Sequence, residues 1–553
     1  MIKQESNIVK KISFLLFLIF FFIGIFTFKD YGISVDEEFQ RKVGFYWLNY
    51  LLNFTPFEEL NNLVALKLKS ISDFTLPSIE HNSFYGVIFD LPLAFFEVVF
   101  KIDDPKEYFE LRHLINFLLF FISSIFFYKL LLNRFANYYI ALIGTLFFVL
   151  SPRIYGSSFF NNKDLVFLSL LTIALFYCFK SLDKITYKNL LIFSFFSAIC
   201  TSSRILGILL PLSFVFFYAL SFLSKKENIN YLVHIIFFCF TYYIFLTMFW
   251  PTLWADPIGS FFSSFKYFIY MGGDFNQKVF FNGEFINANF LPNSYIFTWI
   301  LISTPILYII LFIYGYFEIF KRFVIKFINV KENSTNYDFW NDSGEKKDLF
   351  ILFNITAIIF FWVTFSVILY TGWRQLYFIN IFLIYICAFS IYKIDLNLKS
   401  EKKKRVQFGV IAFYLIFILY KMIEYHPYQN LYFNSFFNNH ANKKFEIDYW
   451  GLSGKNFLED VLALEKNKSL IKVGVASFLP LERSKNLINK QDRKKIIVVG
   501  QDYQNADYLY SNYMSEVDKN YNNKYEIPSN FIKIKDFTLD NIKIYEIYKK
   551  KRD

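Results

Sequence analysis

Gly32-Ile33-Ser34-Val35-Asp36-Glu37-Glu38-Phe39-Gln40 follows closely on an apolar run at residues 12–28 that is long enough to cross a bilayer. Ser34 and Glu37 have the spacing of a capping box, which predicts a helix start at this point. Phe39, Val43, Tyr46, Trp47, Tyr50 and Leu51 then recur at helical intervals, with Gln40, Arg41, Lys42 and Asn49 between them. That pattern predicts an amphipathic helix lying on the membrane surface. Asp36 and Glu37 fall in its first turn, where the helix dipole favours the ionised carboxylate. A carboxylate held there can accept a proton from an incoming hydroxyl. The same pair also suits a simple cap, and spacing alone does not separate the two readings.

Composition decides the class of molecule. Of 553 residues, 55% are hydrophobic and 23% aromatic, and long runs nearly free of charge recur. This is the make-up of a polytopic α-helical membrane protein. The net charge of +12 resides largely in Lys and Arg of the loops, where it reads as a topology signal and not as a nucleic-acid surface. Cys178, Cys200, Cys239 and Cys387 all lie in apolar runs, so no disulfide framework is expected. No small-residue cleavage site follows the first span, which therefore reads as an anchor.

About eleven spans are expected, at 12–28, 113–132, 137–151, 165–180, 188–203, 205–223, 231–249, 295–319, 349–370, 374–393 and 406–424. The apolar run 84–100 contains Asp90, Pro92 and Glu97 and reads as an interfacial helix. Charge supports this choice. It places Lys3, Lys10, Lys11, Lys129, Arg134, Lys180, Lys184, Lys188, Lys225, Lys226 and the basic loops 320–348 and 393–405 on one face. By the positive-inside rule that face, with the N-terminus, is cytoplasmic. The polar loops 29–112, 152–164, 202–204, 250–294 and 371–374, with everything after 425, then share the other face. Trp47, Trp250, Trp254, Trp299 and Trp373 lie near it as expected interfacial anchors.

Residues 152–164 read as a short polar loop, Pro152-Arg153-Ile154-Tyr155-Gly156-Ser157-Ser158-Phe159-Phe160-Asn161-Asn162-Lys163-Asp164. Asn162, Lys163 and Asp164 sit at the start of the next span, where backbone amides and Lys163 can hold a phosphate or form an ordinary cap. Arg204 lies in the turn Thr201-Ser202-Ser203-Arg204 between two spans, either snorkelling or serving a site. Arg374, in Thr371-Gly372-Trp373-Arg374-Gln375, is a second phosphate candidate or a membrane-edge arginine. Residues 257–269 read as a further amphipathic helix, and Asn282-Gly283-Glu284 as a turn.

Hydropathy drops after 425. His426-Pro427-Tyr428-Gln429-Asn430 leads to Asp448-Tyr449-Trp450-Gly451-Leu452-Ser453, a helix near 454–466, and strands near 471–475, 496–500 and 542–548. The expected organisation is a membrane domain at 1–424 and a small α/β domain at 425–553. His81, His113, His234, His426 and His440 are scattered and suggest no metal site; no zinc spacing, P-loop or nucleophile elbow is present.

An acidic pair after the first span, followed by a juxtamembrane helix, resembles the first extracytoplasmic loop of GT-C glycosyltransferases. The nearest resemblance is to the protein O-mannosyltransferases and aminoarabinose lipid A transferases, in a prokaryotic branch that the tail motifs also resemble. The resemblance implies the GT-C architecture, with Asp36 in the place of the catalytic base and Glu37 beside it. It implies a polyprenyl-phosphate sugar donor, inverting transfer to an acceptor hydroxyl on the outer face, and no cofactor. Arg204 and Lys163 are then the first choices to hold the donor phosphate, with Arg374 next; Asp164, Asn162 and Arg153 are further active-site candidates. The acceptor is left open among protein, lipid A and polysaccharide. The implied location is the plasma (inner) membrane, with the C-terminal domain periplasmic or extracellular. The alternative is a flippase or transporter of lipid-linked sugar, but such proteins carry ionisable groups and broken helices at mid-membrane. Here the polar groups gather on one face.

Overall fold

A computed structural model describes residues 2–71, 84–223, 231–270, 277–328, 339–515 and 523–551. His81, Lys225 and Lys226 lie outside them, as do 271–276 and 329–338 within two of the loops named above. Among the described residues, eight helices are long and apolar enough to cross a membrane: Asn7–Thr27, Pro105–Phe135, Asp164–Asp183, Ile205–Phe222, Leu232–Phe249, Ser343–Phe365, Ile379–Asn397 and Glu401–Glu424. They account for eight of the eleven expected segments.

The other three differ for local reasons. The segment at 137–151 ends as the helix Tyr138–Val149, and the chain then bends by 62° into Pro152–Phe160. If that pair is one span, it is a ninth. The segment at 188–203 is a helix, Tyr187–Ser203, of only 17 residues. The segment at 295–319 breaks between Ser294–Ser303 and Ile306–Ile328, where Pro305 has no N–H to continue the ladder. The run 84–100 contains the helix Asp90–Val99 of 10 residues, about 15 Å long and too short to cross about 30 Å of hydrocarbon.

The helices have two distinct polar ends. At one end, Arg134 donates to both oxygens of Asp348 at 2.7 and 2.6 Å, and Arg322 and Tyr385 also donate to this fully buried carboxylate. Lys347 pairs with Asp183 at 2.6 Å beside them. At the other end, Gly86 N–H donates to Ser202 O at 2.6 Å, His426 meets Asp30 at 2.8 Å, and Lys455 donates to the Lys29 carbonyl at 2.6 Å. The helix Asp164–Asp183 runs from one end to the other, and its 20 residues span about 30 Å. The loops expected to share a face therefore do meet. Reporter fusions at residues 103 and 553 should accordingly report one side, and a fusion at 399 the other. Agreement between 103 and 399 would overturn this arrangement.

Two local expectations are corrected. Residues 152–160 form a buried helix and not a loop: Pro152 at its first position ends the preceding helix and starts this one. The helix Glu37–Leu52 is exposed at Tyr46, but its polar side is not free. Gln40 and Arg41 are buried, because the helix packs on Asp90–Val99 and Arg41 donates to both oxygens of Glu97, at 3.0 and 2.5 Å. Of the five tryptophans expected as interfacial anchors, Trp47, Trp250, Trp299 and Trp373 are buried in protein, and Trp254 is exposed. All four cysteines are free.

The tail carries the expected helix, Ser453–Leu464, and a sheet. Before it, Asn282 and Gly283 at positive φ close a hairpin of β1 (Lys278–Phe281) and β2 (Glu284–Asn287). The tail strands are β3 (Ile471–Val475), β4 (Ile496–Gly500), β5 (Tyr508–Ser511), β6 (Phe531–Leu539) and β7 (Ile542–Lys550), in the order β4-β3-β5-β7-β6. β3 is parallel to β4 and β5, whereas β7 is antiparallel to β5 and β6. One apolar core continues from the long helices into this sheet. The approach of tail to first loop is close: a side chain at Gly32 would run into the Leu452 carbonyl.

Candidate active site

Asp36 is the last residue before the helix Glu37–Leu52. Its side chain is 29% exposed, and its Oδ2 accepts a 2.6 Å hydrogen bond from Arg374 Nη1. Burial raises the Asp36 pKa, but Arg374, Lys163 and Arg483 more than offset it, and the carboxyl is held below the usual aspartate range. Arg374 in turn lies over the rings of Tyr370 and Trp450, at 4.8 and 4.5 Å. A planar cation held against aromatic rings keeps its charge and its orientation. Arg374 is thus a buried partner of the acidic residue and not a membrane-edge arginine.

Glu37 is placed differently. It is 1% exposed, its Oε1 accepts from the Ser34 N–H at 2.6 Å, and its Oε2 lies 2.9 Å from His113 Nε2. Only this half of the capping box forms: the Glu37 N–H donates to the Ser34 carbonyl at 3.3 Å, and the Ser34 hydroxyl donates to the Phe160 carbonyl. Glu37 therefore ties the first loop to the Pro105–Phe135 helix and leaves Asp36 as the accessible member of the pair.

Asp164 opens its helix as expected, 2% exposed, with Asn161 donating to its Oδ2 at 2.9 Å. Arg204 donates to Asp164 Oδ1, and Arg374 Nη1 lies 4.0 Å from Oδ2. Arg204 is 7% exposed, so it does not snorkel; it neutralises a buried carboxylate. The Nε atoms of Arg204 and Arg374 have no hydrogen-bond partner, nor does either polar atom of the Asn162 side chain, which is 4% exposed. Lys163 lies over the Tyr85 ring at 4.2 Å. It lines a small cavity with Asn162, Gln40 and Asp90. Asp90, pushed up to about 7 by burial despite Arg112 at 3.2 Å, is the acidic member of that cavity.

Asp36, Arg374, Asp164, Arg204, Asn162 and Lys163 are thus brought together. Arg153 is not among them: its Nε donates to the Tyr432 carbonyl at 2.9 Å, and its guanidinium lies over Trp299 and Phe433. It anchors the start of the tail. The sequence reading missed Trp450, Tyr370, Asp90 and Arg483 as members of the site. Arg483 donates to the Val35 carbonyl at 2.9 Å and so orders the residue before Asp36. Trp450 lay within a tail motif already singled out, but nothing local tied it to Arg374.

The arrangement can accept a proton at Asp36 and hold an anion beside it on cationic N–H donors that are still unpaired. No protein-family model matches the chain, and no curated protein is similar to it in sequence.

Proposed function

We propose that the protein is an inverting glycosyltransferase that moves a sugar from a polyprenyl-phosphate donor to an acceptor hydroxyl at the outer face of a membrane. The observation that carries this reading is one accessible, ionised carboxylate beside unpaired guanidinium N–H groups, at one polar end of an apolar helix bundle. By the positive-inside rule that end is extracytoplasmic, since Lys129, Arg134, Lys180 and Lys184 sit towards the other end.

In this mechanism the acceptor oxygen attacks the anomeric carbon while its proton passes to Asp36. The bond from anomeric carbon to phosphate oxygen breaks, and its electron pair leaves on the lipid phosphate. That leaving group is already an anion, so it needs stabilisation by cations and no second carboxylic acid. Arg374, Lys163 and Arg204 supply the charge. Arg374 has a second task, keeping Asp36 deprotonated before the hydroxyl arrives.

Purified protein given a polyprenyl-phosphate hexose or pentose should release polyprenyl phosphate in step with glycosylated acceptor. Movement of intact lipid-linked sugar across a vesicle, without cleavage, would replace this reading with a flippase. A pH profile tests the role of Arg374. In Arg374→Gln the largest remaining influence on Asp36 is burial, so its pKa should rise. A base is active when deprotonated, so the acid limb of the rate profile should move to higher pH. An unmoved limb would remove Asp36 from the role of base.

A further inference from the structure

The β1–β2 hairpin and the tail enclose a cavity of about 360 Å³, within the size range of small-molecule sites. Phe280, Phe285 and Phe445 line it together with Asn442, Asn512 and Glu446, and no Lys or Arg lines it among the described residues. The walls are firmly held. Phe280 and Phe285 face each other across the hairpin with ring centroids 5.0 Å apart. Gly283 N–H donates to the Lys444 carbonyl at 3.2 Å, and Phe281 bridges to Phe445. Asn512 donates to Asp448 Oδ2 at 3.2 Å.

Glu446 is the unexplained group. It is 6% exposed; its Oε1 accepts from the Phe280 N–H at 3.2 Å, and its Oε2 has no partner among the described residues. A buried carboxyl oxygen left unpaired is costly, which points to a ligand that completes it. Among the described residues no cation lines the cavity to hold an anion. A wholly apolar ligand would leave Oε2 unpaired. A sugar ring satisfies both demands, with an apolar face against phenylalanine and hydroxyls for the carboxyl. Burial pushes Glu446 up to about 8, so at neutral pH its carboxyl both donates and accepts, as pairing with a hydroxyl requires.

The cavity is joined to the site around Asp36 by a short chain of contacts. Phe281 packs on Tyr295 with ring centroids 4.8 Å apart, and Gly372 N–H donates to the Tyr295 hydroxyl at 3.1 Å. Arg374, the partner of Asp36, lies two residues on from Gly372.

We propose that this cavity binds a neutral saccharide unit of the acceptor, so that the acceptor is itself a glycan; the acceptor role rests on the transferase reading, whereas sugar binding does not. Saturation-transfer NMR on the detergent-solubilised full chain, with chitobiose, maltose and mannobiose as probes, tests it. At least one disaccharide should receive saturation. Binding should weaken roughly tenfold in Phe285→Ala and return in Phe285→Trp. It should weaken roughly three- to tenfold in Glu446→Gln, which keeps the oxygen facing Phe280 but changes the free one. Absence of binding to all three probes by the wild type, or binding indifferent to all three variants, would overturn the site. The two readings separate cleanly. Sugar binding through Phe285 without any transfer activity would sink only the transferase. Transfer whose acceptor KM is unchanged in Phe285→Ala would sink only the acceptor site.

Discussion

Asp36→Asn is expected to lower transfer from a lipid-phosphate sugar by about a hundred- to ten-thousand-fold, the usual effect of losing a general base. The amide oxygen still accepts the hydrogen bond of Arg374, and side-chain volume is unchanged. Expression and donor binding should therefore stay close to those of the wild type. What disappears is a site for the acceptor proton. The neighbouring Glu37→Gln sets the comparison. Glu37 is buried and engaged by Ser34 and His113, so its replacement should lower the melting midpoint more than the turnover of folded protein. Single-turnover rates on folded, donor-saturated enzyme give the ranking directly. A larger loss of turnover in Glu37→Gln than in Asp36→Asn would transfer the base role to Glu37.

Arg204→Gln is expected to destabilise the protein by about 3–5 kcal/mol, the cost of removing one partner of a buried ion pair. Arg204 and Asp164 are 7% and 2% exposed, so the carboxylate, left with the Asn161 amide and Arg374 at 4.0 Å, cannot turn to water. The sequence left Arg204 either snorkelling or serving a site; burial against Asp164 gives it a structural task as well. The double variant Arg204→Gln/Asp164→Asn should recover much of the lost stability, because an amide has no charge to leave uncompensated. Denaturation midpoints in detergent for the two single variants and the double variant complete the cycle. Donor titrations on whichever variants remain folded then read the phosphate role separately. Equal midpoints for wild type and Arg204→Gln would show that the pair contributes nothing to stability.

The unoccupied Nε atoms of Arg204 and Arg374 and the unpaired amide of Asn162 suit an incoming anion better than a finished structural network. A network built only for stability tends to satisfy its buried donors. The Asp348 cluster at the other end of the bundle shows the contrast: its carboxylate accepts from Arg134, Arg322 and Tyr385.

By itself the sequence determined the membrane class, eight of the eleven spans it led one to expect, a short helix within 84–100, helix starts near Asp36 and at Asp164, and three of the five tail strands among the described residues. These depend on hydropathy, length and caps, which are properties of residues near one another in the chain. It also placed the polar loops at a common end, because charge asymmetry accumulates over every loop. Asp36, Lys163, Arg204 and Arg374 could be named from it as candidates, but not connected. Arg374 meets Asp36 across 338 positions, and Arg204 meets Asp164 across 40. A pairing of that kind is set by how helices pack, and no local pattern records it. The tertiary structure alone decided that Glu37 is held by Ser34 and His113 and that Arg153 bonds the Tyr432 carbonyl. It alone decided that Pro152–Phe160 is a helix, and that Trp450 of the tail reaches back over Arg374. The physical reason is the same throughout. A buried charge takes whatever partner the packed chain brings within hydrogen-bonding distance, and that partner is chosen by the fold.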